Sequence, residues 1–315
     1  MKKIILIMAA FLVPLVLLAQ EKKGPYESGF DLPGSRTEVY KTIGDVKLKV
    51  YIYEPKGHKA GAKRPAIVFF FGGSWRGGTP RQFLEHCRYL ASKGMVAITA
   101  DYRVSSRQGT KPFHCVRDGK SAVRWIRQNA RRLGVDPNRI VSGGGSAGGH
   151  VAACTGILPK HDEPGEDDNV SSVPNALVLY NPVISTALAD GVTPFGGDTN
   201  ETLIKRLGLK NPASLSPYHN IRKGLPPTLL LHGKGDTTVP YSTAEAYVKQ
   251  ATKIGLRAEL TGYEDMPHGF FNFGRYDNKM FLATVTRMHE FLNSLGYVKG
   301  KPAVERHLKR LAGRK

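Results

Sequence analysis

Ser146 stands in the run Ile140-Val-Ser-Gly-Gly-Gly-Ser146-Ala-Gly-Gly-His150, with a short β-branched run before it and a helix-forming stretch after it. That pattern encodes a strand, a tight turn and a helix. A serine on such a turn holds its hydroxyl out from a strained backbone, and only small neighbours let strand and helix approach so closely. The hydroxyl is too weakly acidic to attack an ester alone, so it needs an imidazole base, and the imidazole needs a carboxylate to hold its tautomer. Both lie downstream. Thr228-Leu-Leu-Leu-His232-Gly-Lys-Gly-Asp236-Thr-Thr-Val-Pro240 is an apolar strand running into a glycine turn that carries Asp236, and Glu259 to Tyr263 is a strand whose following loop carries His268. Singly, the glycine-rich run also fits a plain strand-to-helix loop, Asp236 a turn residue and His268 a surface histidine. Together, in the order Ser, Asp, His and each at a strand end, they make a constellation for acyl transfer.

A fourth component lies upstream. Arg64 to Phe71 is a continuous apolar strand that breaks at Gly72-Gly73-Ser74-Trp75. Backbone N–H groups of Gly73 and Ser74 there, with that of Ala147 behind the serine, would hold the negative oxygen of a tetrahedral intermediate. The same residues also read as a strand-terminating turn with Trp75 as a core aromatic.

With these pieces placed, the chain resembles the α/β-hydrolase superfamily, and within it the hormone-sensitive-lipase-like branch of bacterial serine esterases that includes acetyl-esterase and feruloyl-esterase-like proteins. The resemblance rests on Phe71-Gly72-Gly73-Ser74-Trp75, Asp101-Tyr102-Arg103, Gly144 to His150, His232-Gly233 through Pro240, and Pro267-His268-Gly269-Phe270. It spans roughly residues 37 to 298. Where the family usually has histidine, this chain has Phe71. The resemblance implies a catalytic triad of Ser146, Asp236 and His268, an oxyanion hole at Gly73, Ser74 and Ala147, no cofactor and no metal, and short acyl esters, notably acetyl groups on plant or algal polysaccharides, as substrates. A peptidase of the prolyl-oligopeptidase type shares the triad order but usually carries a large extra domain, for which this chain has no room. A non-catalytic carbohydrate-binding protein on the same scaffold would be expected to have lost the triad.

The elements that must position these residues alternate between strand and helix, which predicts a mostly parallel central sheet covered on both faces. Thr37 to Ile43 and Val46 to Tyr53 read as an N-terminal antiparallel hairpin turning at Gly44-Asp45. Thr79 with Gln82, and Ser242 with Glu245, read as capping boxes opening helices. Val116 to Leu133 reads as a helix closed by Gly134, and Lys279 to Leu295 as a closing helix stopped by Gly296. Residues 184–225, rich in Gly, Pro and Asn with a short helical piece at Glu201 to Leu207, read as a lid or insert shaping the substrate site. The acidic run 160–169 reads as a solvated loop; its carboxylates could hold calcium, but the spacing is not that of an EF-hand.

Composition bounds the rest. The 315 residues suit one α/β domain over 37–298. Residues 1–19, with basic Met1-Lys2-Lys3, an apolar stretch Ile4 to Leu18 and small Ala19, read as a secretory signal peptide cut after Ala19, leaving 20–36 as a linker. An uncleaved anchor is the alternative, though the apolar run is short of the roughly 20 residues a spanning helix needs. The expected location is therefore secreted or periplasmic, without stable membrane insertion once the leader is removed. Cys87, Cys115 and Cys154 read as buried small hydrophobes, with a Cys87 to Cys115 bridge left open. The net charge of +20 falls partly in the leader and partly in a basic tail, 299–315, with seven Lys or Arg against one Glu. The remainder, spread over the body, reads as a basic surface attracted to anionic envelope or polysaccharide rather than a nucleic-acid groove. Nothing in the sequence sets the oligomeric state.

Overall fold

The structure is a computed structural model, and it describes residues 25–189, 191–195 and 199–313. The leader read at 1–19 lies outside the described residues. Among these, nine strands form one sheet: β1 (Tyr26–Glu27), β2 (Arg36–Ile43), β3 (Val46–Tyr53), β4 (Arg64–Phe70), β5 (Val96–Ala100), β6 (Val135–Gly145), β7 (Ala176–Tyr180), β8 (Thr228–Gly233) and β9 (Ala258–Tyr263). The helices are α1 (Leu84–Ser92), α2 (Ser105–Gln108), α3 (Pro112–Gln128), α4 (Ala147–Ile157), α5 (Asn200–Leu207), α6 (Tyr241–Lys253), α7 (Lys279–Ser294) and α8 (Val304–Ala312).

β2 and β3 make the antiparallel hairpin, closing with Ile43 opposite Val46, and β3 pairs antiparallel with β5. From there β5, β4, β6, β7, β8 and β9 lie side by side and parallel. Strands buried on both faces have no use for a polar alternation, which is why β4, β5, β7 and β8 are near-continuous apolar runs. Alternate residues still divide the core. Val68 and Phe70 pack with α3, α4 and α6 on one face, while Ile67 and Phe69 pack with α1 and α7 on the other. The C-terminal ends of the parallel strands gather at one edge of the sheet. The loops carrying Gly72, Ser146, Asp236 and His268 all leave from that edge.

Several local readings need correction. Thr79 makes no side-chain cap; Pro80–Phe83 is a single 3-10 turn leading into α1. Its supposed capping partner, Gln82, accepts instead from the Gly72 N–H of the loop after β4 at 2.6 Å. Ser242 lies inside α6, which starts at Tyr241 after Pro240 without a side-chain cap. α3 starts at Pro112, a first-turn proline that the apolar periodicity from Val116 onward hid, and it ends at Gln128. Cys87 and Cys115 lie in opposite halves of the core and are free, as is Cys154. The basic tail is not all loose chain, since α8 docks on the α1 and α7 face through buried Val304, with Leu308 partly buried beside it and His307 Nε2 3.3 Å from Glu85 Oε2.

The acidic run is solvated only in part: Asp167 and Asp168 are exposed, but Asp162, Glu163 and Glu166 are tied down. Asp118, fully buried on α3, receives Arg103 through both Nε and Nη2 and Lys41 Nζ at 2.7 Å. Glu163 of the acidic run closes the same cluster, 2.6 Å from Lys41 and 2.8 Å from Arg103. Asp162 pairs with Lys120 and Arg124, and Glu166 with Arg124. Carboxylates committed to side-chain cations leave little for calcium. Burial alone would raise the Asp118 carboxyl, but Lys41 and Arg103 outweigh it and hold it below the usual carboxylate range; the same balance lowers Asp162 and Glu163.

Asp118→Ala strands two buried cations with Glu163 as their remaining partner, and should cost about 3 to 5 kcal/mol of stability, read as a lower denaturant midpoint at unchanged slope. Because the folded carboxyls titrate below their unfolded values, their contribution is complete above about pH 4 to 5 and is lost as pH falls through the depressed range. The wild-type midpoint should therefore drop in acid more steeply than that of Asp118→Ala. Parallel acid curves for the two proteins would refute the cluster's role.

Candidate active site

Ser146 forms the corner between β6 and α4. Its backbone sits at φ 55° and ψ −123°, a conformation that costs a non-glycine residue on the order of 1–3 kcal/mol. The surroundings hold it there. Its N–H donates to Tyr180 O at 2.9 Å, and its carbonyl accepts the first bond of α4, from His150 N, at 3.0 Å. Gly148 explains the small residues around the corner: a β-carbon on it would lie 2.1 Å from Phe70 O and 2.3 Å from Phe71 O. The helix can sit on the end of β4 only without that atom. His150, fully buried, reaches Leu215 O at 2.8 Å, and burial lowers its ring to about 4. It is therefore neutral and tied to the 184–225 segment, not a second base.

His268, on the loop after β9, places Nε2 2.8 Å from Ser146 Oγ and Nδ1 2.7 Å from Asp236 Oδ2. With Nδ1–H donated to the carboxylate, Nε2 carries the lone pair that can take the serine proton. Gly269 N donates to Asn181 Oδ1 at 3.2 Å, fixing this loop to the end of β7. Asp236 is held in turn. Its Oδ1 accepts from Thr238 N and Val239 N at 2.9 Å each, while His232 Nε2, fully buried at the end of β8, lies 3.2 Å from its Oδ2. Burial works to raise the Asp236 carboxyl, but His232, His268 and the Val239 N–H prevail and hold it far below the usual range. The surroundings thus favour the carboxylate form at the acid end of the chain.

The loop after β4 passes close to Ser146. A β-carbon on Gly72 would lie 3.2 Å from Ser146 Cβ, and Gly73, Ser74 and Trp75 all have positive φ. The turn is fastened on two sides: Tyr102 O–H donates to Phe71 O at 2.6 Å, and Gln82 grips Gly72 N while its amide donates to Asn272 Oδ1 at 2.8 Å. Among the described residues, the N–H groups of Gly73 and Ser74 find no acceptor. Ala147 is the first residue of α4, where an N–H has no helical acceptor. Phe71, the departure from the family pattern, is fully buried and stacks on Tyr102 with ring centroids 4.2 Å apart. Two clefts flank the turn. One, of about 640 Å³, runs past Phe71, Gly72 and Gln82; the other, of about 580 Å³, runs past Gly73, Ser74 and Trp75.

All six residues singled out in the sequence thus lie at one edge of the sheet, Ser146, His268 and Asp236 in direct contact and the turn alongside. Four others were missed. His232 could have been suspected from its place four residues before Asp236 on the same strand end. Gln82, Asn272 and Asn181 left no local signal, since each acts across a long stretch of chain.

The BD-FAE family model matches residues 50–250, a span holding Ser146 and Asp236 and ending before His268. Among solved structures, Thermogutta terrifontis esterase 2 phosphonylated by sarin is 47% identical, with 86% of this chain and 98% of that one aligned at a TM-score of 0.83. The propionate-bound form of that esterase aligns over the same shares at 47% identity and a TM-score of 0.82. The probable carboxylic ester hydrolase LipM of Mycobacterium tuberculosis is 28% identical over 239 residues, 72% of this chain and 54% of that protein. The chain spans about half the length of this relative.

A fluorophosphonate probe should label Ser146 one to one, seen as a single mass adduct on its tryptic peptide. His232→Phe keeps a ring in place but removes the nitrogen that lies beside Asp236 Oδ2 and Val239 O, and should slow labelling about tenfold, equivalent to about 1.4 kcal/mol, with unchanged circular dichroism. Equal labelling rates would mean that His232 only fills space.

Proposed function

The chain belongs to the BD-FAE family, within the α/β-hydrolase esterases of bacteria, and on that premise we propose that it is a secreted serine carboxylesterase of short-chain acyl esters. The observation that carries this reading is the unbroken chain Ser146 Oγ to His268 Nε2 to His268 Nδ1 to Asp236 Oδ2, at 2.8 and 2.7 Å. Ser146 attacks the ester carbonyl as His268 Nε2 takes its proton. Asp236 stabilises the imidazolium and holds its tautomer. The N–H groups of Gly73, Ser74 and Ala147 receive the negative oxygen of the tetrahedral intermediate, where each such donor is typically worth about 10²–10³ in rate. His268 then protonates the departing alcohol, and a water deprotonated by the same imidazole releases the acid from Ser146.

Short acyl groups, acetyl foremost, are supported by the esterase 2 structures that carry propionate and butyrate. The segment 184–225, carrying α5 between β7 and β8, shapes the site by setting Phe195 against Trp75, ring centroids 6.0 Å apart. Export rests on the leader read at residues 1–19. Polysaccharide-borne esters are the natural substrates that fit an exported, strongly basic enzyme.

Ser146→Ala should reduce kcat/KM on 4-nitrophenyl acetate by at least about 10³ while circular dichroism and the denaturant midpoint stay at wild-type values. Wild type should prefer acetate and butyrate to octanoate and leave a prolyl amide intact. Residual esterase activity in the serine variant above about 10⁻³, or amide cleavage in preference to ester cleavage, would overturn the assignment.

A further inference from the structure

The two clefts beside the Gly72 turn differ in charge. The one that meets the turn at Gly73 and Ser74 is lined by Arg76, Lys111 and Arg206, and no carboxylate lines it among the described residues. Elsewhere on this protein some cations are paired. Lys41, Arg103, Lys120 and Arg124 each face a carboxylate at ion-pair distance, as do several exposed arginines. Arg76 has no carboxylate partner among the described residues, and Lys111 Nζ reaches only a carbonyl oxygen, of Lys205, at 3.4 Å. Both are exposed. Arg206 lies over the Phe195 ring at 4.5 Å from its centroid, so its guanidinium is positioned by the 184–225 segment at the cleft wall.

We propose that this cleft receives an anionic group, a carboxylate or a sulfate, carried by the ester substrate within a few bonds of the scissile carbonyl, so that the enzyme selects negatively charged esters. The inference rests on the esterase reading above and specifies its substrate class. Clustered cations raise the local concentration of anions at a cleft, and a pair of exposed charges a few ångströms from a ligand charge is enough to shift recognition by about tenfold. The charged group can sit on either side of the ester bond, on the alcohol, as in an acidic sugar, or at the far end of the acyl chain.

Two matched pairs of esters separate these sources. 4-Acetoxybenzoate against 4-acetoxybenzamide places the carboxylate on the alcohol; 4-nitrophenyl hemiglutarate against 4-nitrophenyl butyrate places it on the acyl group. The readout is the ratio of kcat/KM for the charged member to that for the neutral member, which cancels general damage to catalysis. In at least one pair, the double variant Arg76→Gln, Lys111→Gln should lower this ratio about tenfold, mainly through KM. Lys253→Gln, which removes charge at the far end of α6, should leave it within about twofold. The wild-type ratio should also fall as salt is raised from about 50 to about 500 mM. If the neutral esters are hydrolysed but neither ratio responds to the double variant, the anionic subsite is overturned and the esterase reading stands. If charged and neutral rates fall together, the cations serve the reacting oxygen rather than a substrate charge, and the inference is likewise overturned. Failure to hydrolyse any of the four esters overturns the esterase reading and this inference with it.

Discussion

The contact on which the rest of the site depends is one of backbone on backbone, where α4 rests on the end of β4. Gly144 and Gly148 face each other and the carbonyls of Phe70 and Phe71 so closely that a β-carbon on either would overlap main-chain atoms. That approach brings the first turn of α4, the end of β6 and the turn after β4 within reach of one another. Ser146 is forced into its positive φ as a result, and the bonds to Tyr180 and His150 keep it there. Packing that leaves out side chains is the means by which the Ser146 hydroxyl, an imidazole on another strand's loop and the turn after β4 come together.

The charge arrangement follows a complementary logic. Deep in the molecule, a cation is placed where a carboxylate meets it, as at Asp118, because an unpaired buried charge is costly. At the site, the buried carboxylate of Asp236 is held by His268, Thr238 and Val239, with His232 Nε2 between its Oδ2 and Val239 O. Its charge is thereby oriented toward His268 Nδ1. A high net charge is thus compatible with a well-paired interior, the surplus standing outside the core.

Much of this was legible in the sequence, and the reason is local. A serine among glycines after a β-branched run, an aspartate on a glycine turn after Thr228 to His232, and a histidine after Glu259 to Tyr263 are each defined by neighbours within a few residues, so strand ends and loop residues could be placed together. The hairpin at Gly44-Asp45 and the helix before Gly296 were readable for the same reason, although α8 follows that helix, which is not the last. What was missed is non-local. Gln82 carried the signature of a capping residue, yet its amide is taken up by Gly72 and by Asn272, 190 residues away. The acidic run looked like a solvated loop because its partners, Lys41, Arg103, Lys120 and Arg124, are scattered over earlier elements. The cap at Ser242 failed because α6 begins one residue earlier, at Tyr241, and α3 was read short because it opens at Pro112, a first-turn proline ahead of the apolar run from Val116.

The turn after β4 is pinned by Tyr102, Gln82 and, through it, Asn272, before any ligand arrives. A loop that must fold over its substrate gives up conformational freedom during each turnover, and that loss appears as an unfavourable entropy of activation. Here the ordering was completed when the chain folded. Heating should therefore change the catalytic rate chiefly through bond-making enthalpy, with a linear Eyring plot that persists until Gln82 or Tyr102 lets go, and the onset of curvature would mark the loosening of this one turn ahead of global unfolding.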